Sequence, residues 1–125
     1  MAWVRQQMTW LKRSNMPDNT NEIEFVRIVK TGDLPEGERL ILEINNLPLV
    51  IFNVGGELLA TGDLCSHDEG PIGDGDIDGD QIVCPRHGAR FDIHTGKALT
   101  LPAVEGIPVY PIQVVDDFIE IGIPK

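Results

Sequence analysis

Apolar and polar residues alternate in short runs along the first half of this chain. Four runs are rich in Ile, Leu, Val and Phe: residues 23–30, 39–44, 47–54 and 57–61. Thr31-Gly32-Asp33 follows the first run, and the dipeptides Asn45-Asn46 and Gly55-Gly56 separate the last three. Such dipeptides favour tight turns between antiparallel strands. The pattern therefore predicts four strands that are joined mainly by short turns.

The second half of the chain shows the same alternation after a loop-rich middle region. Its strand-like runs are residues 89–93, 97–101, 109–115 and 118–123. Thr95-Gly96 and Asp116-Asp117 provide turn signals between them. No segment longer than about ten residues has the 3.6-residue period of an amphipathic helix. The expected fold class is therefore all-β, an antiparallel β-sandwich or barrel with little helix.

Residues 1–21 differ in composition from the rest of the chain. Trp3 and Trp10 fall in a short, weakly amphipathic stretch that ends at Ser14-Asn15-Met16-Pro17. We expect an N-terminal extension that is flexible or mis-annotated, in the latter case with true initiation at Met8 or Met16; a partner-docking helix is the alternative. Residues 22–125 are expected to form one domain, because about 100 residues suffice for a hydrophobic core.

Acidic residues outnumber basic residues in this chain. Its 125 residues include 20 Asp and Glu against 10 Lys and Arg, which gives a net charge of -10. This charge argues against nucleic acid or an anionic membrane as a partner. It favours a partner protein that has a basic surface. No apolar run approaches the roughly 20 residues of a membrane span, and no continuous apolar core of a signal peptide is present. The expected location is the cytoplasm.

Both cysteines and two of the three histidines lie within residues 64–93. They form two short motifs, Cys65-x-His67 and Cys84-x-x-His87, each in a loop rich in Gly and Pro. Thiolate suits iron–sulfur clusters or zinc, and imidazole suits iron or zinc. The spacing therefore predicts a metal site with one cysteine and one histidine from each loop. A disulfide between the cysteines is less favoured, because each of them has a histidine at ligand spacing.

These motifs resemble those of the Rieske iron–sulfur proteins, which have C-x-H, a spacer of similar length, and C-x-x-H. The matching residues are Cys65-Ser66-His67 and Cys84-Pro85-Arg86-His87-Gly88, with supporting context in Phe91-Asp92, Thr95-Gly96 and Leu101-Pro102-Ala103. The resemblance implies an antiparallel β-sandwich with a small cluster-binding subdomain of two loops, at about residues 63–72 and 83–92. It also implies one [2Fe–2S] cluster, with Cys65 and Cys84 on one iron and His67 and His87 on the other.

The neighbours of these residues indicate a low reduction potential. Respiratory-type Rieske proteins have a second cysteine in each loop and join the two in a disulfide, whereas this chain has Arg86 in its second motif and no third cysteine. Ala89 and Phe91 stand where that type has a serine and a tyrosine whose hydroxyls favour the reduced cluster. We therefore expect a potential below zero, within a family range of about −150 to +300 mV.

The resemblance is to the dioxygenase-type Rieske ferredoxins and implies an electron carrier that is not itself an enzyme. Its partners would be a flavin-dependent reductase that donates single electrons and a non-heme iron, ring-hydroxylating oxygenase that accepts them. The small Rieske subunit of an NADH-dependent nitrite reductase is an alternative. A structural zinc-binding module is the alternative from another class, although zinc fingers usually group their cysteines before their histidines.

Two further features have simpler explanations. The stretch Asp74-Gly75-Asp76-Ile77-Asp78-Gly79 matches the first half of an EF-hand loop, but Pro85 occupies position twelve, where the loop needs a bidentate Glu. We therefore expect a hairpin between the two cluster loops, without calcium. His94 fits neither motif and is expected to be an exposed turn residue.

Overall fold

The computed structural model describes residues 22–66, 70–101, 103 and 105–124, so the predicted extension at residues 1–21 lies outside the described residues. Ten strands occur in the described part: β1 (Ile23–Lys30), β2 (Arg39–Ile44), β3 (Leu47–Val54), β4 (Glu57–Gly62), β5 (Ile77–Asp78), β6 (Gln81–Val83), β7 (Arg90–Asp92), β8 (Val109–Tyr110), β9 (Ile112–Val115) and β10 (Phe118–Pro124). A short 3-10 turn, Thr31–Asp33, follows β1. None of the described helical residues belongs to a helix with the length and apolarity needed to cross a membrane. The strands pair in antiparallel fashion, and the predicted all-β fold class is confirmed.

The chain divides into two compact units. The described part of the first comprises residues 22–33 and 111–124, which form a three-stranded sheet in the order β9–β10–β1. Ile119, Ile121 and Ile123 of β10 are fully buried. Their spacing of two residues is that of side chains on one face of a strand.

The second unit, Leu34–Tyr110, contains a four-stranded sheet in the order β2–β3–β4–β8. Leu49, Val50, Ile51 and Phe52 lie in succession on β3 and are fully buried. Successive side chains point to opposite faces of a strand, so this strand is covered on both faces. Val50 and Phe52 belong to the same core cluster as both cysteines.

Three of the tight turns that the sequence predicted have a left-handed backbone. The value of φ is positive at both central residues of each turn: Asn45 (52°) and Asn46 (67°), Gly55 (62°) and Gly56 (94°), Asp116 (54°) and Asp117 (68°). Two positive φ values in succession are typical of type I′ turns, which match the twist of the flanking strands. Asn and Asp adopt this conformation more readily than most other residues with a side chain.

A small third sheet in the second unit has the order β5–β6–β7. β5 and β6 form the hairpin that was predicted between the two cluster loops, with Gly79 in its turn (φ 63°). β6 leads into the second cluster loop and β7 leaves it, and the two strands are paired. Just before the hairpin, a Cβ on Gly75 would overlap the carbonyl oxygen of Val83. The backbone at Gly75 therefore approaches β6 more closely than a side chain would permit.

The predicted strand over residues 109–115 is two strands in different sheets. β8 pairs with β4 in the four-stranded sheet, whereas β9 pairs with β10. Pro111 separates them, and its missing N–H removes one ladder hydrogen bond at this point. The alternation of apolar residues continues through this change of sheet, so the sequence pattern did not predict it.

The predicted strand over residues 97–101 is reduced to one bridge, between Phe91 and Ala98. Leu99 still donates its N–H to the carbonyl of Arg90, at 2.8 Å. The N–H of Arg90, however, bonds to the hydroxyl oxygen of Thr100 at 3.0 Å. A side-chain acceptor replaces the carbonyl that a paired strand would supply, and the ladder ends here.

Candidate metal centre

Both cysteines lie in the core of the second unit. Cys84 directly follows β6, and Cys65 follows β4 after two residues. Cys65 is 0% exposed and Cys84 is 1% exposed, and neither forms a disulfide. The Cys65 thiol makes a hydrogen bond to the Cys84 sulfur. The fold thus brings one predicted ligand from each loop into contact.

The two loops repeat one backbone geometry. In each loop the N–H of the cysteine bonds to the carbonyl oxygen five residues later, from Cys65 to Gly70 at 2.7 Å and from Cys84 to Ala89 at 2.7 Å. Gly88 adds a bond from its N–H to the Cys84 carbonyl, at 3.0 Å, and has a positive φ of 77°. Each loop is therefore closed at its base, with the cysteine as its first residue.

The surroundings of Cys84 favour its thiolate form. Burial is the largest single influence and raises the pKa of the thiol, because a charge is costly away from water. Hydrogen bonds from the backbone N–H groups of Arg86 and His87, a hydrogen bond from Cys65 and the positive charge of Arg86 act in the opposite direction. Together they prevail, and the pKa of Cys84 lies below its usual value. Hydrogen-bond donors around a sulfur suit a thiolate that binds metal.

The structure describes one of the two predicted histidine ligands. His87 is exposed in the turn of the second loop, and its backbone N–H bonds to the Cys84 sulfur. His67 lies outside the described residues. With His67 left aside, no three His, Cys, Asp or Glu side chains of the described part form a metal-binding group. The two thiols are therefore in contact, and His87 contacts the Cys84 sulfur through its backbone N–H.

A buried carboxylate joins the two ends of the first loop. Asp63 follows β4 and is 9% exposed. Its Oδ1 accepts hydrogen bonds from the N–H groups of Ile72 at 2.9 Å and Gly73 at 2.5 Å. Its own N–H bonds to the carbonyl oxygen of Pro48 in β3, at 2.9 Å. Asp63 therefore anchors the segment that contains Cys65 to the four-stranded sheet.

Arg39 of β2 supports the chain where it leaves the first loop. Its Nη1 donates to the carbonyl oxygens of Gly73 and Gly75, both at 2.6 Å. The guanidinium carbon lies 5.8 Å from the centroid of the Phe52 ring, within the range of a cation–π contact. Asp63, just after β4, and Arg39, in β2, thus hold the N–H and the carbonyl of Gly73.

Two polar contacts connect the first loop to other loops. Nη1 of Arg86 donates to the carbonyl oxygen of Pro71 at 2.7 Å. The hydroxyl of Ser66 donates to the carbonyl oxygen of Glu105 at 2.5 Å. Glu105 follows the segment in which the resemblance implies a proline-containing loop, although Pro102 itself lies outside the described residues. Ser66 and Arg86 both belong to the motifs, so the motif residues that are not predicted ligands connect the loops.

The family comparison decides between iron–sulfur and other chemistry. The Rieske [2Fe-2S] domain family matches residues 24–111, which include both loops. The chain belongs to the Rieske [2Fe-2S] family. A Rieske-type [2Fe–2S] cluster is therefore the cofactor of this domain.

Relatives of this Rieske protein are ferredoxins of dioxygenase systems. The ferredoxin component of the naphthalene 1,2-dioxygenase system of Pseudomonas putida is 36% identical over 92 residues, which cover 74% of this chain and 88% of that protein. The structure of the Sphingomonas yanoikuyae B1 ferredoxin has a TM-score of 0.74 and 33% identity, and covers 81% of this chain and 100% of its own. A chain in the complex of reduced oxygenase and oxidized ferredoxin in carbazole 1,9a-dioxygenase has a TM-score of 0.72 and 26% identity, over 78% of this chain and 91% of that one. The predicted family and the predicted class, an electron-transfer component and not a catalytic enzyme, are confirmed.

The residues of the Rieske domain fit such a cluster. Two sulfur atoms from separate loops are in contact and buried, and one of them accepts backbone hydrogen bonds that stabilise a thiolate. His87 is exposed beside Cys84, so a ligand on that side would be close to solvent. A buried sulfur pair with nitrogen ligands nearer the surface is the donor chemistry that a mixed-ligand [2Fe–2S] centre requires.

Ala89 and Phe91 line the core next to the second loop. Both are fully buried and belong to the same core cluster as the two cysteines. The Ala89 carbonyl accepts the N–H of Cys84 that closes the loop. Neither side chain has a hydroxyl, so this side of the Rieske site offers methyl and aromatic groups and no additional hydrogen-bond donor.

His94 and the predicted hairpin have structural roles in the Rieske domain. His94 is exposed in a turn, as predicted, with its Nε2 at 2.9 Å from Oε1 of Glu57. Asp92 forms this turn, because its Oδ1 accepts the N–H groups of His94 and Thr95. In the hairpin, Asp78 pairs with Arg90 at 3.0 Å. The carboxylate of Asp78 thus links β5 to β7 beside the site.

Sequence patterns did not identify Asp63 and Arg39 as residues of the site. Both are polar residues at strand ends, where polar side chains are ordinarily exposed. Their role depends on the path of the loop, which brings Gly73 between them. No local signal marked Asp63, because the N–H groups that it accepts belong to Ile72 and Gly73, beyond the reach of a carboxylate that caps its own turn.

Proposed function

We propose that this protein carries single electrons, in the cytoplasm, from a flavin-dependent reductase to the terminal oxygenase of an aromatic-ring dioxygenase system. The observation that carries the proposal is the contact between two buried thiols at the bases of two matching loops. Its relatives support the choice of system. One is the ferredoxin component of a naphthalene dioxygenase system, and another was solved with a dioxygenase's oxygenase.

The proposed ligands are Cys65 and Cys84 on one iron and His67 and His87 on the other. Burial of the two cysteines and the hydrogen bonds to Cys84 support the sulfur half. The exposure of His87 and the placement of His67 in the matching motif support the nitrogen half. When bound, such a cluster takes up and releases one electron at a time.

The protein around the proposed ligands keeps water from one side and leaves the other side open. The core cluster encloses both cysteines with apolar side chains, among them Ile72, Ile82 and Phe91. His87 is exposed, so its imidazole edge is the part of the site that a partner protein reaches first. An electron that enters or leaves by this edge travels the shortest distance through protein.

Ala89 and Phe91 set the proposed potential at the low end of the Rieske range. A reduced cluster has one more negative charge than an oxidised one, so hydrogen-bond donors near its sulfur atoms raise the potential. Ala89 and Phe91 have no such donors on their side chains and are fully buried. The protein is therefore proposed as a donor with a potential below zero.

The acidic surface is the proposed means of recruiting partners. The segment between the two loops exposes four carboxylates, those of Asp74, Asp76, Asp78 and Asp80. The whole chain has a net charge of -10. A basic patch on a reductase or an oxygenase would be attracted over a distance of about one Debye length, about 8 Å at physiological ionic strength.

Two measurements on the purified full-length protein test this proposal. Metal and sulfide analysis should find about two iron and two sulfide per chain, as a [2Fe–2S] centre requires. Protein reduced by a flavin-dependent reductase should then be reoxidised by a terminal dioxygenase in stopped-flow mixing. Zinc in place of iron, or a reduced cluster that an oxygenase does not reoxidise, would refute the proposal. The Cys84→Ala variant is the control, which should hold no [2Fe–2S] cluster and pass no electron to the oxygenase.

A further inference from the structure

We propose that Arg86 is a positioning residue that ties the second cluster loop to the first and fixes the separation of the two thiols. Its Nη1 donates a hydrogen bond of 2.7 Å to the carbonyl oxygen of Pro71. Arg86 lies in the loop that begins at Cys84, and Pro71 lies in the loop that contains Cys65. The inference rests on the proposed function, because it takes both loops to hold the cluster.

Gly70 provides the space that the guanidinium occupies. A Cβ on Gly70 would lie 2.7 Å from Cζ and from Nη2 of Arg86, and 3.0 Å from its Nε. The three distances are similar, so the plane of the guanidinium lies against the Gly70 backbone. A planar guanidinium can pack on Gly70 and bond to Pro71 at once, whereas a lysine ammonium is a compact point charge that only bonds.

The contact meets both loops close to their cysteines. On the first loop, the carbonyl of Gly70 accepts the N–H of Cys65 at 2.7 Å, and Pro71 is the next residue. On the second loop, the backbone N–H of Arg86 bonds to the Cys84 sulfur. One residue therefore contacts the closure of the first loop through its side chain and the sulfur of the second loop through its backbone.

This chain has no cysteines with which to join the loops covalently. It contains two cysteines in all, neither is in a disulfide, and both are proposed as ligands. A hydrogen bond from a charged donor is among the stronger non-covalent links available to a side chain. Arg86 is thus suited to limit how far the two loops move apart when the cluster is bound.

The test compares the cluster-loaded wild type with Arg86→Met and Arg86→Lys. Loss of the cluster to excess EDTA is followed by visible absorbance. Arg86→Met removes the guanidinium and its hydrogen bond but keeps an unbranched side chain, and we expect the cluster to be lost about tenfold faster, the factor that one hydrogen bond supplies. Arg86→Lys should lose the cluster at a rate between those of the wild type and Arg86→Met, because lysine keeps the charge and can donate a hydrogen bond. The EPR signal of the reduced Arg86→Met variant should be broader than that of the wild type, since its ligands adopt a wider range of positions.

Gly70→Ala tests the same contact with Arg86 unchanged. The methyl group of the alanine would lie 2.7 Å from Cζ of Arg86 and would displace the guanidinium. We expect Gly70→Ala to lose the cluster faster than the wild type, as Arg86→Met does. If Arg86→Met does not fold, the Gly70→Ala result decides. Arg27→Met is the matched control, because Arg27 is another exposed arginine with an acceptor, Glu120, at 3.1 Å; its rate should equal that of the wild type.

The outcomes separate this inference from the proposed function. A wild-type protein that holds no [2Fe–2S] cluster refutes the proposed function. A wild-type protein that holds the cluster, with Arg86→Met and Gly70→Ala losing it at the wild-type rate, refutes only the inference. Equal loss in Arg86→Met and Arg27→Met would overturn it as well, because the effect would then belong to any exposed arginine.

Discussion

The Oδ1 atom of Asp63 accepts a hydrogen bond of 2.9 Å from the backbone N–H of Ile72, at the opposite end of the segment that contains Cys65. The N–H of Gly73 bonds to the same oxygen at 2.5 Å. Asp63 is buried, and Ile72 is fully so. Removal of the carboxylate would therefore leave the N–H groups of two buried residues without their acceptor.

Asp63→Ala is expected to destabilise the protein by about 3 kcal/mol, because it leaves two buried N–H groups without their acceptor. Urea unfolding of the full chain measures the change in the free energy of unfolding. Asp63→Asn keeps one acceptor oxygen and should lose less. The exposed Asp74→Ala is the control, with an expected change within about 0.5 kcal/mol. Equal effects for Asp63→Ala and Asp74→Ala would show that the carboxylate does not anchor the loop.

The pair formed by His94 and Glu57 makes stability depend on pH. The hydrogen bond to Glu57 is the main cause that raises the pKa of His94; burial opposes it, and the charges of Glu57, Asp80 and Asp92 add to it. The folded protein therefore holds this proton more tightly than the unfolded chain does. The stabilisation is fully present below the unfolded pKa of about 6.5 and is lost as pH rises through the higher folded pKa. Because both side chains are partly exposed, its size should be below about 1 kcal/mol.

The difference in unfolding free energy between the wild type and His94→Gln, measured across this pH range, isolates the contribution of His94. The difference should be largest at the acidic end and should vanish at the alkaline end. Glu57→Gln should reduce the same dependence, because it removes the partner charge. A difference that grows with rising pH would have the wrong sign for this pair.

Ala89→Ser is expected to raise the reduction potential. The new hydroxyl would stand in the buried core next to Cys84 and could donate a hydrogen bond that strengthens on reduction. A preference of about 1 kcal/mol for the reduced state corresponds to roughly 40 mV for one electron. Ala60→Ser places a hydroxyl at a buried position of β4 and serves as the control. Protein-film voltammetry compares them, and an unchanged or lower potential for Ala89→Ser would contradict the assignment of low potential to this position.

Electron transfer to the oxygenase should be fastest at low ionic strength. The net charge of -10 steers a basic partner only while salt does not screen it. Raising the salt concentration from about 20 to about 300 mM should slow the second-order rate by about tenfold, which is at the lower end of the range for steered association. Stopped-flow reoxidation at several salt concentrations measures this. A variant with Asp74→Asn and Asp76→Asn should depend less on salt, and a rate that does not depend on salt at all would remove the role assigned to the acidic surface.

Local sequence signals predicted the regular part of the fold well. β1, β2 and β3 have the bounds that their apolar runs predicted, because each run is closed by a residue pair that adopts positive φ or by a short turn. The sequence patterns did not predict the places where a strand changes its pairing partner. Pro111 moves the chain from one sheet to another, and Thr100 replaces a strand acceptor by its side chain. Neither event alters the alternation of apolar residues from which strands are inferred.

The motifs predicted the chemistry of the site, but its supporting contacts depend on loop geometry. Cysteine and histidine spacing predicts which residues bind, since ligand types follow from the chemistry of the metal, and this ligand set stays a prediction. The contact of Arg86 with Gly70 and Pro71 joins residues from two loops whose paths no local pattern determines. The same holds for Asp63, whose buried position is set by the turn at Ile72.

We propose that two cysteines and two histidines hold the [2Fe–2S] centre. Pulsed EPR of the dithionite-reduced protein, labelled with ¹⁵N at histidine only, tests it most directly. We expect a [2Fe–2S] signal coupled to two histidine nitrogens, with one coupling lost in His67→Cys and the other lost in His87→Cys. A reduced cluster without histidine nitrogen coupling, or one whose couplings survive both substitutions, would contradict it.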